Sequence, residues 1–178
     1  MKAFISTVLA SLAIAGPAVA APLPSDHLQF VNTMVRDGVA IVVNEPAEVC
    51  YGDTDVDGGY IVFEGDRYLV VCQDNRTTSD VTTWTANDLD TIRHEGFHVI
   101  QDCMAGTKTD NVFDTVFTNQ AEVIDALGVS EAMDIMSTYA EAYESDRHGD
   151  IKYEIEAFYA ARDYSATQLN SMYTQYCM

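Results

Sequence analysis

The chain has 178 residues, of which 48% are hydrophobic, and its 9 Lys and Arg against 28 Asp and Glu give a formal net charge of −19. This length and apolar content predict one folded domain with a sizeable core and exclude wholesale disorder. The acidic excess argues against nucleic acid or an anionic membrane as a partner, because phosphate groups are bound by Lys and Arg.

The first 20 residues have the pattern of a signal peptide. Lys2 is followed by the uncharged, apolar stretch 3–15, and Ala18-Val19-Ala20 supplies the small-x-small pattern of a cleavage site. The apolar stretch is shorter than the roughly 20 residues that span a bilayer. We therefore expect cleavage near Ala20, a secreted or periplasmic mature chain of residues 21–178, and no membrane partner.

Four cysteines remain after this cleavage, and an even number favours two disulfides in an exported protein. Cys50 and Cys72 border the region that is rich in predicted strands, whereas Cys103 and Cys177 lie near predicted helix ends. Three pairings can be drawn, and we predict 50–72 with 103–177. The spacings contain no CxxC, which argues against a thiolate zinc site.

Taken in chain order, the predicted elements are a helix, three strands and then helices. A helix is predicted over 25–37, a β-branched strand over 39–43, and a hairpin with strands 60–63 and 68–72. The later helices are predicted over 88–104, 119–127, 130–145, 150–163 and from a capping-box pattern at Ser165 onward. The sequence therefore predicts a single α+β domain, with a small antiparallel sheet or hairpin followed by a mainly helical part.

The motif His94-Glu95-x-x-His98 lies within the predicted helix 88–104. Residues four apart lie on one helix face, so both imidazoles can reach one zinc ion, and Glu95 is placed to accept a proton from water at the metal. On a helical wheel the two histidines lie nearly opposite the apolar stripe. The alternative is a helix with solvated or packed histidines, but this face lacks the lysines of a solvated surface.

A catalytic zinc site usually has three protein ligands. The third is not the distal histidine of the pattern HExxHxxGxxH, because Gln101 and Met104 hold the glycine and histidine positions. On the predicted helix 150–163, Glu154 shares a face with apolar residues, where a carboxylate is costly unless it is paired or bound to a metal, whereas Glu156 falls on the polar side. We predict Glu154 as the third ligand. The alternative is a partly exposed or ion-paired glutamate.

The segments HEGFHVIQDC and YEIEAFYAA resemble those of zincin metallopeptidases of the gluzincin type, in particular small ones with an HExxHxxQ helix and a downstream ExxA helix. The resemblance implies a zincin-like fold in which His94, His98 and Glu154 bind zinc and Glu95 is the general base. It also implies hydrolysis of a peptide or protein substrate that lies against a strand edge. The chain departs from the family at Phe158, where many relatives have an Asp that supports a zinc-bound histidine. Asp90 or Asp102 is the expected substitute.

A second pattern, from Asp53 to Glu64, matches the calcium-loop template D-x-D-x-D-G-x5-E, with Asp53, Asp55 and Asp57 as oxygen ligands. Its flanks are predicted as strand and not as the helices of an EF-hand. The segment is therefore either a weak calcium-binding turn or a solvated acidic loop.

Three functional hypotheses follow from these patterns. The first is a secreted zinc-dependent hydrolase, specifically a metallopeptidase. The second is a secreted zincin-fold module that binds without catalysis, and the third is a calcium-stabilised acidic secreted protein. Phe158 favours the second over the first, and the third depends on the segment Asp53–Glu64.

Overall fold

The computed structural model describes residues 22–52, 56–108, 110, 112–142 and 149–178. These residues form a three-stranded sheet and seven α-helices, which confirms the predicted α+β class. The strands are β1 (Val39–Val43), β2 (Gly58–Phe63) and β3 (Asp66–Val71). The helices are α1 (Ser25–Arg36), α2 (Ala47–Cys50), α3 (Ala86–Ala105), α4 (Gln120–Leu127), α5 (Val129–Ala142), α6 (Ile151–Asp163) and α7 (Ala166–Cys177). The predicted signal peptide, residues 1–20, lies outside the described residues.

The sheet has the strand order β1-β3-β2. Strands β2 and β3 form the predicted antiparallel hairpin, with Phe63 opposite Asp66. Strand β1 pairs parallel with β3, with Val39 opposite Arg67, so the sheet is mixed and not wholly antiparallel. Hydrophobic patterning locates strands but carries no information on their direction, which is why the sequence did not predict the parallel pair. Strand β2 lies at an edge of the sheet, beside α3.

The main core lies where α1, α3 and α7 pack with the sheet. Its largest fully buried side chains include Phe30, Met34, Leu69, Ile92, Phe97, Ile100, Leu169 and Tyr173. Gly96, inside the HExxH motif, is part of this contact, because a Cβ atom there would lie 2.6 Å from the Phe30 ring. A glycine at this position therefore lets α1 approach α3 closely.

A second core joins α4, α5 and α6 and contains Val123, Leu127, Ala132, Ile135, Ile151 and Ile155. Helix α6 contributes to both cores, since its Ala157 and Ala160 belong to the first one. It is therefore fixed from two sides, and this places Glu154 against α3.

Both predicted disulfides are confirmed. Cys50 is bonded to Cys72, and Cys103 to Cys177, so no cysteine is free. The first joins the end of α2 to the residue after β3, and the second joins α3 to the end of α7. Two disulfides suggest an oxidising, extracellular setting. Within the described ranges, no helix has the length and apolar character needed to cross a membrane.

Candidate metal centre

Helix α3 carries the HExxH motif and is fixed at both ends. Thr85 and Asp88 form a capping box at its start, in which each side chain accepts a hydrogen bond from the other residue's backbone N–H. The helix ends at Gly106, which has a left-handed φ of 91°. Packing covers almost every side of the helix from Thr91 to Cys103, so His94 and His98 are only 7% and 5% exposed.

His94, His98 and Glu154 meet at the contact between α3 and α6. The two Nε2 atoms lie 3.2 Å apart, and Glu154 Oε2 lies 3.3 Å from each of them. Two bare imidazole nitrogens at this separation would repel each other, so a proton or a cation must lie between them. These three buried ligand atoms could therefore hold a metal ion.

Glu154 and His98 each shift the pKa of the other. Burial raises the pKa of Glu154, but the adjacent His98 and His94 outweigh burial and hold that pKa well below its usual range. For His98, burial lowers the pKa, but Glu154 outweighs burial and raises the pKa to about 9. Without a metal, the centre thus holds a proton on His98 and a carboxylate on Glu154. A metal ion would displace that proton on binding.

Glu95 lies beside this group and lines a cleft. It is 8% exposed, and burial raises its pKa, although His94 and His98 act in the opposite direction. A carboxyl group with a raised pKa next to a metal position is suited to taking up and returning a proton.

The cleft has a volume of 490 Å³ and runs past His94 and Glu95. Residues at and just before the start of β2 line it, together with residues of α3 and α5 and Phe158 of α6. Its lining residues are Val56, Asp57, Gly58, Asn87, Asp90, Thr91, His94, Glu95, Thr138, Tyr139, Ala142 and Phe158. A concave site beside candidate metal ligands is where a substrate would bind.

His98 has a hydrogen-bond partner that the sequence did not predict. Its Nδ1 lies 2.7 Å from Gln101 Oε1, and Phe113 stacks on its ring with centroids 5.4 Å apart. Gln101 is three residues from His98 on the same helix face, so its spacing could have indicated this contact.

His94 differs, because its buried Nδ1 has no hydrogen-bond partner in the part of the chain that the structure describes. The ring of Phe158 packs against His94 instead. Neither Asp90 nor Asp102, which the resemblance made candidates for supporting a histidine, is a partner of His94 Nδ1. Asp90 pairs with Arg93, and Asp102 accepts a hydrogen bond from the Tyr60 hydroxyl.

Glu156 was expected on the polar side of α6, and that expectation is wrong. Its side chain is fully buried and accepts hydrogen bonds from the backbone N–H groups of Val116 and Phe117. The side chains of Gln101 and Gln120 donate to it as well. The wheel failed here because the segment 112–119, which has no regular pattern, covers this face of α6.

The predicted calcium segment lies partly outside the described residues, since Asp53 and Asp55 fall in the 53–55 gap. Asp57 is exposed, and β2 follows it directly. Glu64 lies in the turn at the far end of that strand, about 20 Å away by the rise of an extended chain. Glu64 therefore does not close a loop over Asp57 as an EF-hand glutamate does.

Comparison with known proteins finds no similarity that would name a family. No family model matches the chain, and neither a curated protein nor a solved structure matches it. The fold and the geometry of the site are therefore the basis for assigning a function.

Proposed function

We propose that the protein is an exported zinc-dependent hydrolase, and within that class a metallopeptidase. The observation that carries the proposal is the convergence of His94, His98 and Glu154, whose ligand atoms lie 3.2–3.3 Å from one another. Two imidazoles and one carboxylate are a common ligand set of catalytic zinc, with the fourth position open to water.

The ligand set favours zinc over metals that prefer oxygen. Two imidazole nitrogens and one carboxylate oxygen suit zinc, whereas magnesium and calcium prefer sites made of oxygen ligands. The separations of 3.2 and 3.3 Å are also compatible with the roughly 3.3 Å between the ligands of a tetrahedral zinc ion.

Zinc, when bound, would activate water and polarise a carbonyl group. Glu95 would take the proton from the attacking water and return it to the leaving group, a role supported by its burial and its raised pKa beside the cleft. The cleft begins at the start of β2, an edge strand of the sheet, against which an extended peptide could lie, and this supports a peptide or protein substrate.

The test begins with metal content of the oxidised protein without residues 1–20. We expect about one zinc per chain in the wild type and its loss in His94→Ala. Absence of zinc in both would overturn the proposal. A peptide library is then digested with the wild type and with Glu95→Gln, which should bind zinc but show no cleavage. Equal cleavage by both would remove Glu95 from its assigned role.

A non-catalytic secreted binding module is the second candidate. The observation that favours it is the contact of Phe158 with His94, whose Nδ1 has no hydrogen-bond partner among the described residues. Such a module would bind zinc but cleave none of the peptides in the library. The two candidates are therefore separated by the same pair of measurements.

A further inference from the structure

The amide of Gln101 lies between His98 and α6, and its orientation is determined by its neighbours. Gln101 Nε2 is 3.1 Å from the Tyr153 carbonyl oxygen and 3.1 Å from Glu156 Oε2. A carbonyl oxygen can only accept a hydrogen bond, so the amide nitrogen, and not the amide oxygen, must face it.

Glu156 enforces the same orientation independently. Its carboxylate accepts from two backbone N–H groups, those of Val116 at 3.0 Å and Phe117 at 3.2 Å, and from the side chain of Gln120. Because backbone N–H groups only donate, the carboxylate acts as an acceptor and leaves the donor role to Gln101. Both hydrogens of the Gln101 amide are thus used on the α6 side.

The orientation of the Gln101 amide determines which ring nitrogen of His98 carries a proton. With its nitrogen turned to α6, Gln101 presents its oxygen to His98 Nδ1 at 2.7 Å. That oxygen can only accept, so Nδ1 must carry a proton. The opposite ring nitrogen, Nε2, is then the one directed at His94 and Glu154, where a metal would bind.

We propose that Gln101 is the positioning residue of the metal centre: fixed by the Tyr153 carbonyl and Glu156, it holds the His98 Nδ1–H and keeps Nε2 directed at the metal. The inference rests on the zinc site proposed above. His98 is thereby the ligand that is oriented through its Nδ1, whereas His94 Nδ1 has no hydrogen-bond partner among the described residues and the rings of His98 and Phe158 pack against His94. Partners of this kind typically alter metal affinity by about 10–100-fold.

The first measurement compares zinc affinity by competition with a chromophoric chelator. In Gln101→Met, which has nearly the same volume but no acceptor, we expect zinc to bind about 10–100-fold more weakly. The matched control is Gln73→Met, which also removes a fully buried glutamine with several hydrogen bonds, but none of them to a histidine. It should bind zinc as the wild type does. Wild-type affinity in Gln101→Met, or an equal loss in both variants, would overturn the proposal.

The second measurement needs no zinc and no stable variant. In ¹⁵N-labelled, zinc-free wild type at a pH above 9, where the His98 imidazole carries a single proton, NMR should place that proton on Nδ1 and show that it exchanges slowly with water. A bare Nδ1, with the proton on Nε2, would overturn the proposal. If the wild type binds no zinc, the proposed function fails, but this signal still decides whether Gln101 orients His98.

Discussion

The ring of Phe158 lies against the imidazole of His94, with centroids 4.5 Å apart and planes at 67°. Phe158 is four residues after Glu154 and so lies on the same side of α6 as this candidate ligand. Its ring has no acceptor for the His94 Nδ1–H, and no other acceptor reaches that atom in the described ranges. The two histidines of the centre are consequently supported in different ways.

Replacing Phe158 by Asp should strengthen zinc binding. A carboxylate at this position would accept a hydrogen bond from His94 Nδ1 and increase its basicity as a ligand, which corresponds to about tenfold tighter binding. Phe158→Leu is the matched control, because it also removes the contact with Tyr139 but adds no acceptor. Zinc competition measures both, and equal affinities in the two variants would contradict the assignment.

The grouping of His94, His98 and Glu154 could be predicted in part, because each step depends on spacing within one helix. The interval of four between His94 and His98 places them on one face, and the apolar neighbours of Glu154 gave its direction on α6. The contact between these faces of α3 and α6 belongs to the tertiary structure. The sequence supported it only through the resemblance of both segments to one family.

The features that the sequence did not predict depend on segments without periodicity. Glu156 is buried because the segment 112–119 folds over it and donates two backbone hydrogen bonds. A helical wheel of α6 contains no information about contacts with a loop some forty residues earlier in the chain. The parallel pairing of β1 with β3 was not predicted either, because side chains alternate in the same way in parallel and antiparallel strands.

The zinc-free protein should lose stability as the pH rises. The pKa of His98 is about 9 in the folded protein and about 6.5 in an unfolded chain. The folded state binds this proton more tightly, so its stabilisation is fully present below pH 6.5 and is lost as the pH rises through 9. The loss should be about 3 kcal/mol.

Urea unfolding in the presence of EDTA at several pH values measures this effect. His98→Gln serves as the control, because it removes the titrating imidazole and leaves the ionisable groups away from the centre unchanged. The difference between wild type and variant should shrink as the pH rises from 6.5 to 9. A difference that stays constant over this range would contradict the coupling of His98 to Glu154.

Removing Asp37 should destabilise the fold by about 3 kcal/mol, because it leaves a buried charge without its ion pair. Asp37 pairs with Arg67 at 3.0 Å and accepts a hydrogen bond from the Tyr173 hydroxyl at 2.7 Å. Arg67 is only 6% exposed. Urea unfolding of Asp37→Ala is compared with Glu131→Ala, which breaks the solvent-exposed pair with Arg162 and should cost less than about 1 kcal/mol. Equal losses of unfolding free energy in the two variants would show that the buried ion pair of Asp37 stabilises the fold no more than an exposed pair does.

Two adjacent glycines allow a test of how closely β2 must approach α3. A Cβ atom at Gly58 would lie 2.5 Å from the Val70 carbonyl oxygen and 2.6 Å from Thr91 Cγ2, whereas one at Gly59 meets nothing within 4 Å. Gly58→Ala should therefore displace β2 and cost about 1–3 kcal/mol, while Gly59→Ala should change stability by no more than about 0.5 kcal/mol.

Because Gly58 also lines the cleft beside Glu95, the same displacement should alter peptide cleavage. Zinc content should remain unchanged in both variants, since neither glycine supplies a ligand atom. Hydrolysis should fall in Gly58→Ala and persist in Gly59→Ala. If Gly58→Ala retained both stability and cleavage, the close contact between the edge strand and the motif helix would not be required for either.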